Sequence, residues 1–202
     1  MSSIEYMFLE MGFSWTLSKA LPYVLVIILS FVLIYIFRKK FKKRALVKWA
    51  FRLALLIIPF VAYFMYSPIY QGDFSNNSSS IERIPAYTEL TGQKLVVISM
   101  PQCKYCYGSI DKVLKLIERV PGAEIEYVVC AENEDEAYLD WYQEKGGDAI
   151  TVRFADSARA LTVLADGRFP TFILVDGDKP LKKWSNDGFG VVAMDNVELL
   201  LK

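Results

Sequence analysis

The stretch KLVVISMPQCKYC, residues 94–106, decides the fold of this 202-residue chain. KLVVIS is apolar and β-branched enough to form a buried central strand. From Lys104 onward Ile110, Val113, Leu114 and Ile117 recur at three-and-four spacing, the apolar stripe of a helix over 104–120 that Pro121-Gly122 stops. Cys103 therefore falls where a strand gives way to a helix, and Cys106 comes one turn later. Thiolate, not thiol, is the nucleophile, and the unpaired N–H groups and positive dipole end of the helix stabilise it at Cys103. Cys106, on the same helix face, can reach back to resolve a mixed disulfide. Lys104 adds a positive charge that favours thiolate, and Tyr105 shapes the surface a substrate meets. Sulfur carries the electrons in such an exchange, which asks for no cofactor. A lone Cys-x-x-Cys also fits half of a metal site shared with another chain, a structural disulfide, or coincidence. Its place after a strand and at the start of a helix favours redox chemistry.

Working toward the C-terminus, strand and helix alternate. EIEYVVC (124–130) reads as a second strand, 133–145 as an acidic-fronted helix ended by Gly146-Gly147, and 148–155 as a short strand or extended stretch. A short helix over 156–165, a strand over 170–175 turning at Asp176-Gly177, a returning strand over 181–184 and a last helix over 191–200 complete the series. The expected fold class is α/β, a mixed sheet flanked by helices. Cys130, at a strand end, reads as a small buried hydrophobe rather than a third redox centre. Trp141 and Tyr142 read as packing residues.

KLVVISMPQCKYC, its helix, and the later GRFPTFILVDGDKPLKKW together resemble the thioredoxin superfamily over residues 84–202. In that family a cis-proline faces the dithiol and precedes the closing hairpin. The resemblance implies that Pro170 is this proline and that the backbone of Phe169 pairs with an extended substrate beside Cys103. The plainer alternative is a trans proline opening an edge strand. The 63 residues between Cys106 and Pro170 leave room for an insertion within 146–165, an arrangement similar to membrane-tethered, TlpA-like exported members. Two positions depart from thioredoxin itself. Gln102 replaces the tryptophan before the motif, and Val97 stands where a buried acid usually lies, which puts ordinary reductase behaviour in doubt.

Toward the N-terminus, ALPYVLVIILSFVLIYIF (20–37) is uncharged over eighteen residues, enough helix to span roughly 27 Å. Glu5 and Glu10 precede it and Arg38-Lys39-Lys40 follows, so it reads as a retained anchor rather than a cleaved leader. A second apolar run covers 45–66. Arg52 near its start costs roughly 2.5–3.5 kcal/mol at a bilayer centre, but eight Leu, Ile, Phe or Val residues from Leu53 to Phe64 return roughly 0.3–0.6 kcal/mol each. Arg52 can also snorkel to the interface, or pair with an acid on a partner helix. Between the runs, RKKFKKR (38–44) is a topology signal by the positive-inside rule, with lipid-headgroup binding as a secondary consequence. A cytoplasmic basic loop puts everything after Tyr66 on the opposite side. In a bacterium, the preferred reading, this anchor lies in the inner membrane and the exported part in the periplasm. In a eukaryote that part is lumenal, where Asn76 and Asn77 would begin glycosylation sequons. The expected organisation is a two-helix transmembrane hairpin in 1–66, a flexible linker over 67–84 and a thioredoxin-like domain over 85–202.

Overall neutrality hides this division. Residues 1–66 hold nine Lys/Arg against two Asp/Glu, leaving 14 basic and 21 acidic residues behind them. An acidic back half without a basic, aromatic-studded stretch argues against nucleic acid. The absence of histidine removes Ser-His-Asp triads, Cys-His pairs and histidine-ligated metals, and three cysteines are too few for a four-cysteine zinc site in one chain. Two functions remain. The first is a thiol–disulfide oxidoreductase acting on exported thiol or disulfide proteins, supplied across the membrane by a redox partner. The second is a non-catalytic thioredoxin-like subunit of a membrane complex.

Overall fold

The computed structural model describes residues 2–37, 45–70, 72–83, 87–177, 179 and 181–202. The basic stretch 38–44, and with it the topology signal, lies outside the described residues. The chain forms two compact units, Met1–Tyr70 and Gln71–Lys202.

The first unit is helical: α1 (Ser3–Glu10), α2 (Trp15–Phe37) and α3 (Ala45–Tyr66). At 1.5 Å per residue α2 and α3 are each roughly 33–35 Å long, and both are apolar enough to cross a membrane. Helix α1, which the sequence pattern does not announce, begins with a capping box in which Glu5 N–H and Ser2 Oγ, and Ser2 N–H and Glu5 Oε2, bond reciprocally. Glu5 is fully buried. Its Oε1 accepts from Ser67 Oγ at 2.5 Å and lies 3.6 Å from Lys19 Nζ, which also donates to Pro68 O at 3.1 Å. Tyr23, edge-on to Tyr63, donates to Ser67 O. A buried carboxylate with this many partners is compensated where an isolated one would not be. Arg52 lies 6.0 Å from the ring of Trp49, one turn earlier on α3.

The second unit is built on a six-stranded sheet: β1 (Ser79–Ile81), β2 (Gln93–Ser99), β3 (Ile125–Val129), β4 (Thr151–Phe154), β5 (Thr171–Asp176) and β6 (Leu181–Ser185), in the order β1-β6-β5-β2-β3-β4. The helices are α4 (Lys104–Arg119), α5 (Glu136–Gly146), α6 (Ala158–Leu164) and α7 (Val191–Leu201). β2 pairs in parallel with β3 and antiparallel with β5, and β3 pairs in parallel with β4. KLVVIS is buried throughout because it is central and covered on both faces. One face joins Val96, Ile98, Val128 and Ile173 to Leu161 and Leu164 of α6. On the other, Phe172 stacks on Phe189 at 3.7 Å and Trp184 meets Phe189 edge-on. The stretch 146–165, where the insertion is expected, holds β4 and α6. The acidic helix begins three residues later than the sequence indicates, because Asp135 caps it by accepting from Ala137 N–H at 3.1 Å.

The spacer expected over 67–84 needs correction. Its second half belongs to the globular unit: β1 pairs with β6 from Ser79 to Ile81, and Asp73 O accepts from Val192 N–H at 3.3 Å. A Cβ on Gly190 would collide with Gly72 O, so two backbones meet there that only glycine lets approach. Polar, small residues look like solvent-borne spacer, yet main-chain hydrogen bonds to a sheet edge do not depend on side-chain polarity.

Candidate redox site

Two adjacent ends of the sheet build the site. Ile98 of β2 pairs with Thr171 of β5, so the chain leaving β2 toward Cys103 and the chain entering β5 through Phe169 and Pro170 emerge at the same edge. Gln102 takes a left-handed backbone, φ 54°, unusual for a residue with a Cβ, and Cys103 follows as the N-cap of α4. Its Sγ accepts the Cys106 N–H at 3.1 Å, satisfying one of the donors a helix start leaves free. The two cysteines are joined in a disulfide with Cα atoms 5.2 Å apart. Cys103 is half-buried and Cys106 fully buried. Lys104 is exposed, and Tyr105 is 75 % exposed, so both stand at the rim. The Phe169–Pro170 bond is cis, with Pro170 buried and Phe169 half-buried against the α6-side core.

Hydroxyl side chains bond the backbone on either side of Cys103. Ser109 Oγ donates to Cys106 O at 2.6 Å and lies 2.9 Å from the hydroxyl of Tyr127, which is fully buried. Tyr142, also fully buried, donates to Met100 O at 2.7 Å and thereby holds the segment that leads to Cys103. Burial raises the ionisation of both tyrosines well above the usual phenol range, with Ser109 countering it at Tyr127 and Ser99 at Tyr142. Val97 is buried and paired with Phe172, so the strand position where a thioredoxin carries its acid is apolar here. Sequence reasoning does not single out Ser109 or Tyr127, and it reads Tyr142 as a packing residue, as its full burial against Tyr127 and Trp141 bears out. Ser109, one turn beyond Cys106 on the motif's own helix, carries a usable signal; the tyrosines, on β3 and α5, carry none.

Cys130 is a free thiol, half-buried beside Phe169 on the α6 side, and its N–H donates to Ser99 O at 2.8 Å. Burial pushes its thiol up to about 11 despite a hydrogen bond with Thr162. Trp141 stacks on Tyr107 at 4.5 Å, and Lys145 lies over the same Tyr107 ring.

A strand–helix–strand start, an antiparallel closing hairpin, a terminal helix, and a cysteine pair at a helix N-terminus at the same end of the sheet as a cis-proline define the architecture. The fold is thioredoxin-like. No family model matches the chain, and no curated protein matches it. Among solved structures it is similar to a secreted disulfide oxidoreductase of Mycobacterium tuberculosis homologous to E. coli DsbE, at 12 % identity and a TM-score of 0.43, covering 55 % of this chain and 84 % of that one. It is also similar to M. tuberculosis DsbF, at 15 % identity and a TM-score of 0.44, covering 56 % and 84 %. At identities and scores this low, the fold rests on the strand order and register above and not on the likeness.

Proposed function

We propose that the chain is a membrane-anchored thiol–disulfide oxidoreductase whose redox unit works on exported proteins, on the side opposite the basic loop 38–44. The observation that carries this reading is the asymmetry of the pair. Cys103 is reachable at the helix start, with its sulfur already accepting an N–H, while Cys106 is shielded one turn behind it. In the reducing direction the Cys103 thiolate attacks a substrate disulfide. One S–S bond forms, the substrate's breaks, and a substrate thiolate leaves. Cys106 then loses its proton and attacks Cys103 Sγ, closing the disulfide and releasing the second substrate thiolate. Two electrons pass from the dithiol to the substrate, and each departing thiolate takes up a proton. Oxidation of a substrate dithiol is the same sequence reversed. Turnover as a reductase needs electrons from a membrane redox partner. In this mechanism Phe169 offers backbone hydrogen bonds to an extended substrate beside Pro170, Tyr105 contacts it, and Lys104 favours the Cys103 thiolate.

Cys106→Ser tests the reading, since the attack by Cys103 survives and the resolution step does not. Incubated with a disulfide-bonded protein substrate, this variant accumulates a mixed disulfide that a further Cys103→Ala abolishes. Absence of any Cys103-dependent adduct, with no turnover by the unaltered chain, would reject the role. The accessory-subunit reading gains if Cys103→Ala/Cys106→Ala leaves cellular function intact while replacement of the α2–α3 hairpin abolishes it.

A further inference from the structure

Helix α1 departs in two ways from a helix on a water-soluble surface. Its carboxylate at Glu5 points inward to Lys19 and Ser67, while Ile4, Met7 and the C-capping Met11 are 42 %, 51 % and 57 % exposed. At about 100° per residue, Ile4, Met7 and Met11 share an arc of roughly 60°. Exposed Ser3 and Glu10 lie together on one flank of that arc, and the buried Glu5, Phe8 and Leu9 lie on the other. The helix thus has three sectors: one packed on the protein, one apolar and open, one polar and open. Such a division suits a helix lying along an interface between hydrocarbon and water.

We propose that α1 is a third membrane element, lying flat in the leaflet on the side of the redox unit, with Ile4, Met7 and Met11 in lipid and Ser3 and Glu10 toward water. The occupant of the apolar sector is lipid because α1 is held to the start of α2, on which Leu17, Val24, Leu25 and Ile28 are likewise exposed. The cluster that holds α1 joins it to Lys19 and Tyr63, toward the start of α2 and the end of α3, where Tyr23, Tyr63 and Tyr66 stand, side chains suited to a membrane–water boundary. Residues 2–18 contain no Lys or Arg, so the attachment needs no anionic headgroup. This inference rests on the membrane-anchored reading above.

The test is spin labelling of the full chain, with Cys103, Cys106 and Cys130 changed to Ser, reconstituted in phosphatidylcholine vesicles. Single cysteines replace Ser3, Ile4, Met7 or Glu10, all exposed positions that burden no packing, and Ile28 of α2 as a control. Collision with dissolved oxygen reports hydrocarbon, and collision with a water-soluble nickel chelate reports solvent. The oxygen-to-nickel ratio is expected to be several-fold higher at Ile4 and Met7 than at Ser3 and Glu10, and high at Ile28. A high ratio at Ile28 with a low one at Ile4 and Met7 overturns the inference and leaves the anchor standing. A low ratio at Ile28 removes the anchor, and the inference with it. Equal ratios at all four α1 positions overturn the flat orientation.

Discussion

Cysteine chemistry divides the three thiols by environment. With its thiol pushed up to about 11 by burial, Cys130 is only about one-thousandth thiolate at pH 8. After reduction, iodoacetamide should therefore alkylate Cys103 first and leave Cys130 nearly untouched in the folded protein, as peptide mass mapping would show. Cys130→Ala should leave disulfide-exchange rates unchanged. A second residue-scale expectation concerns the hydroxyl pair behind the dithiol. Tyr127→Phe removes one buried hydrogen bond, yet Ser109 keeps its bond to Cys106 O, so the loss in a urea titration should be about 1 kcal/mol.

Between secondary elements more stability is at stake. Arg153 of β4 bonds Glu126 Oε1 of β3 at 2.5 Å and Glu89 Oε2 at 2.7 Å, while Lys94 of β2 lies 2.7 Å from Glu126 Oε2. Arg153→Ala leaves two carboxylates short of a partner and should cost about 3 kcal/mol, measured by denaturant unfolding. Burial raises the Glu126 carboxyl, but the hydrogen bonds from Arg153 and Lys94 outweigh it and hold the group below its ordinary value of 4.5. Its stabilisation is accordingly complete above that value and is lost as pH falls through the depressed one, so Arg153→Ala should flatten the acid limb of the stability–pH curve. At Gly190, φ −101° is open to any residue, and only space forbids a side chain. Gly190→Ala must push Gly72 aside, at a cost of about 1–3 kcal/mol. The major elements from β2 onward are legible in sequence because period and punctuation agree there: KLVVIS, the stripe from Ile110 to Ile117, and the turn at Asp176-Gly177. Helix α1 is not, since Glu5 faces in while Ile4, Met7 and Met11 face out. Strand β1 is not either, because SSI has no period to read. At the site, the dithiol and Pro170 are visible as local motifs, whereas Tyr127 and Tyr142 reach it only through the folding of β3 and α5.

At the scale of the whole molecule, charge separates two units that composition averages to neutrality. If the basic loop is cytoplasmic, as proposed, a membrane-impermeant maleimide applied to intact cells after mild reduction should label Cys103 and fail to label a cysteine introduced as Lys40→Cys. Reversed labelling would place the redox unit in the cytoplasm and remove the exported substrates. The connection between the units is also shorter than composition indicates. Ser67 and Pro68 are bonded to Tyr23, Lys19 and Glu5 of the first unit, and Asp73 to Val192 of the second. A stretch that reads as eighteen residues of spacer contains only a few residues between those attachments.

The hydroxyl shell behind Cys106 has a kinetic consequence. Its two phenols ionise well above the ordinary phenol range, its serine does not titrate, and the chain contains no histidine. None of these three hydroxyls changes charge between about pH 5 and 9. A plot of log exchange rate against pH should then show inflections belonging only to the thiols of Cys103 and Cys106 and of the substrate, with none added by a neighbouring acid or base. Such an enzyme would keep one speed across every pH above the midpoints of its reacting thiols, insensitive to further acid–base drift in the compartment it serves.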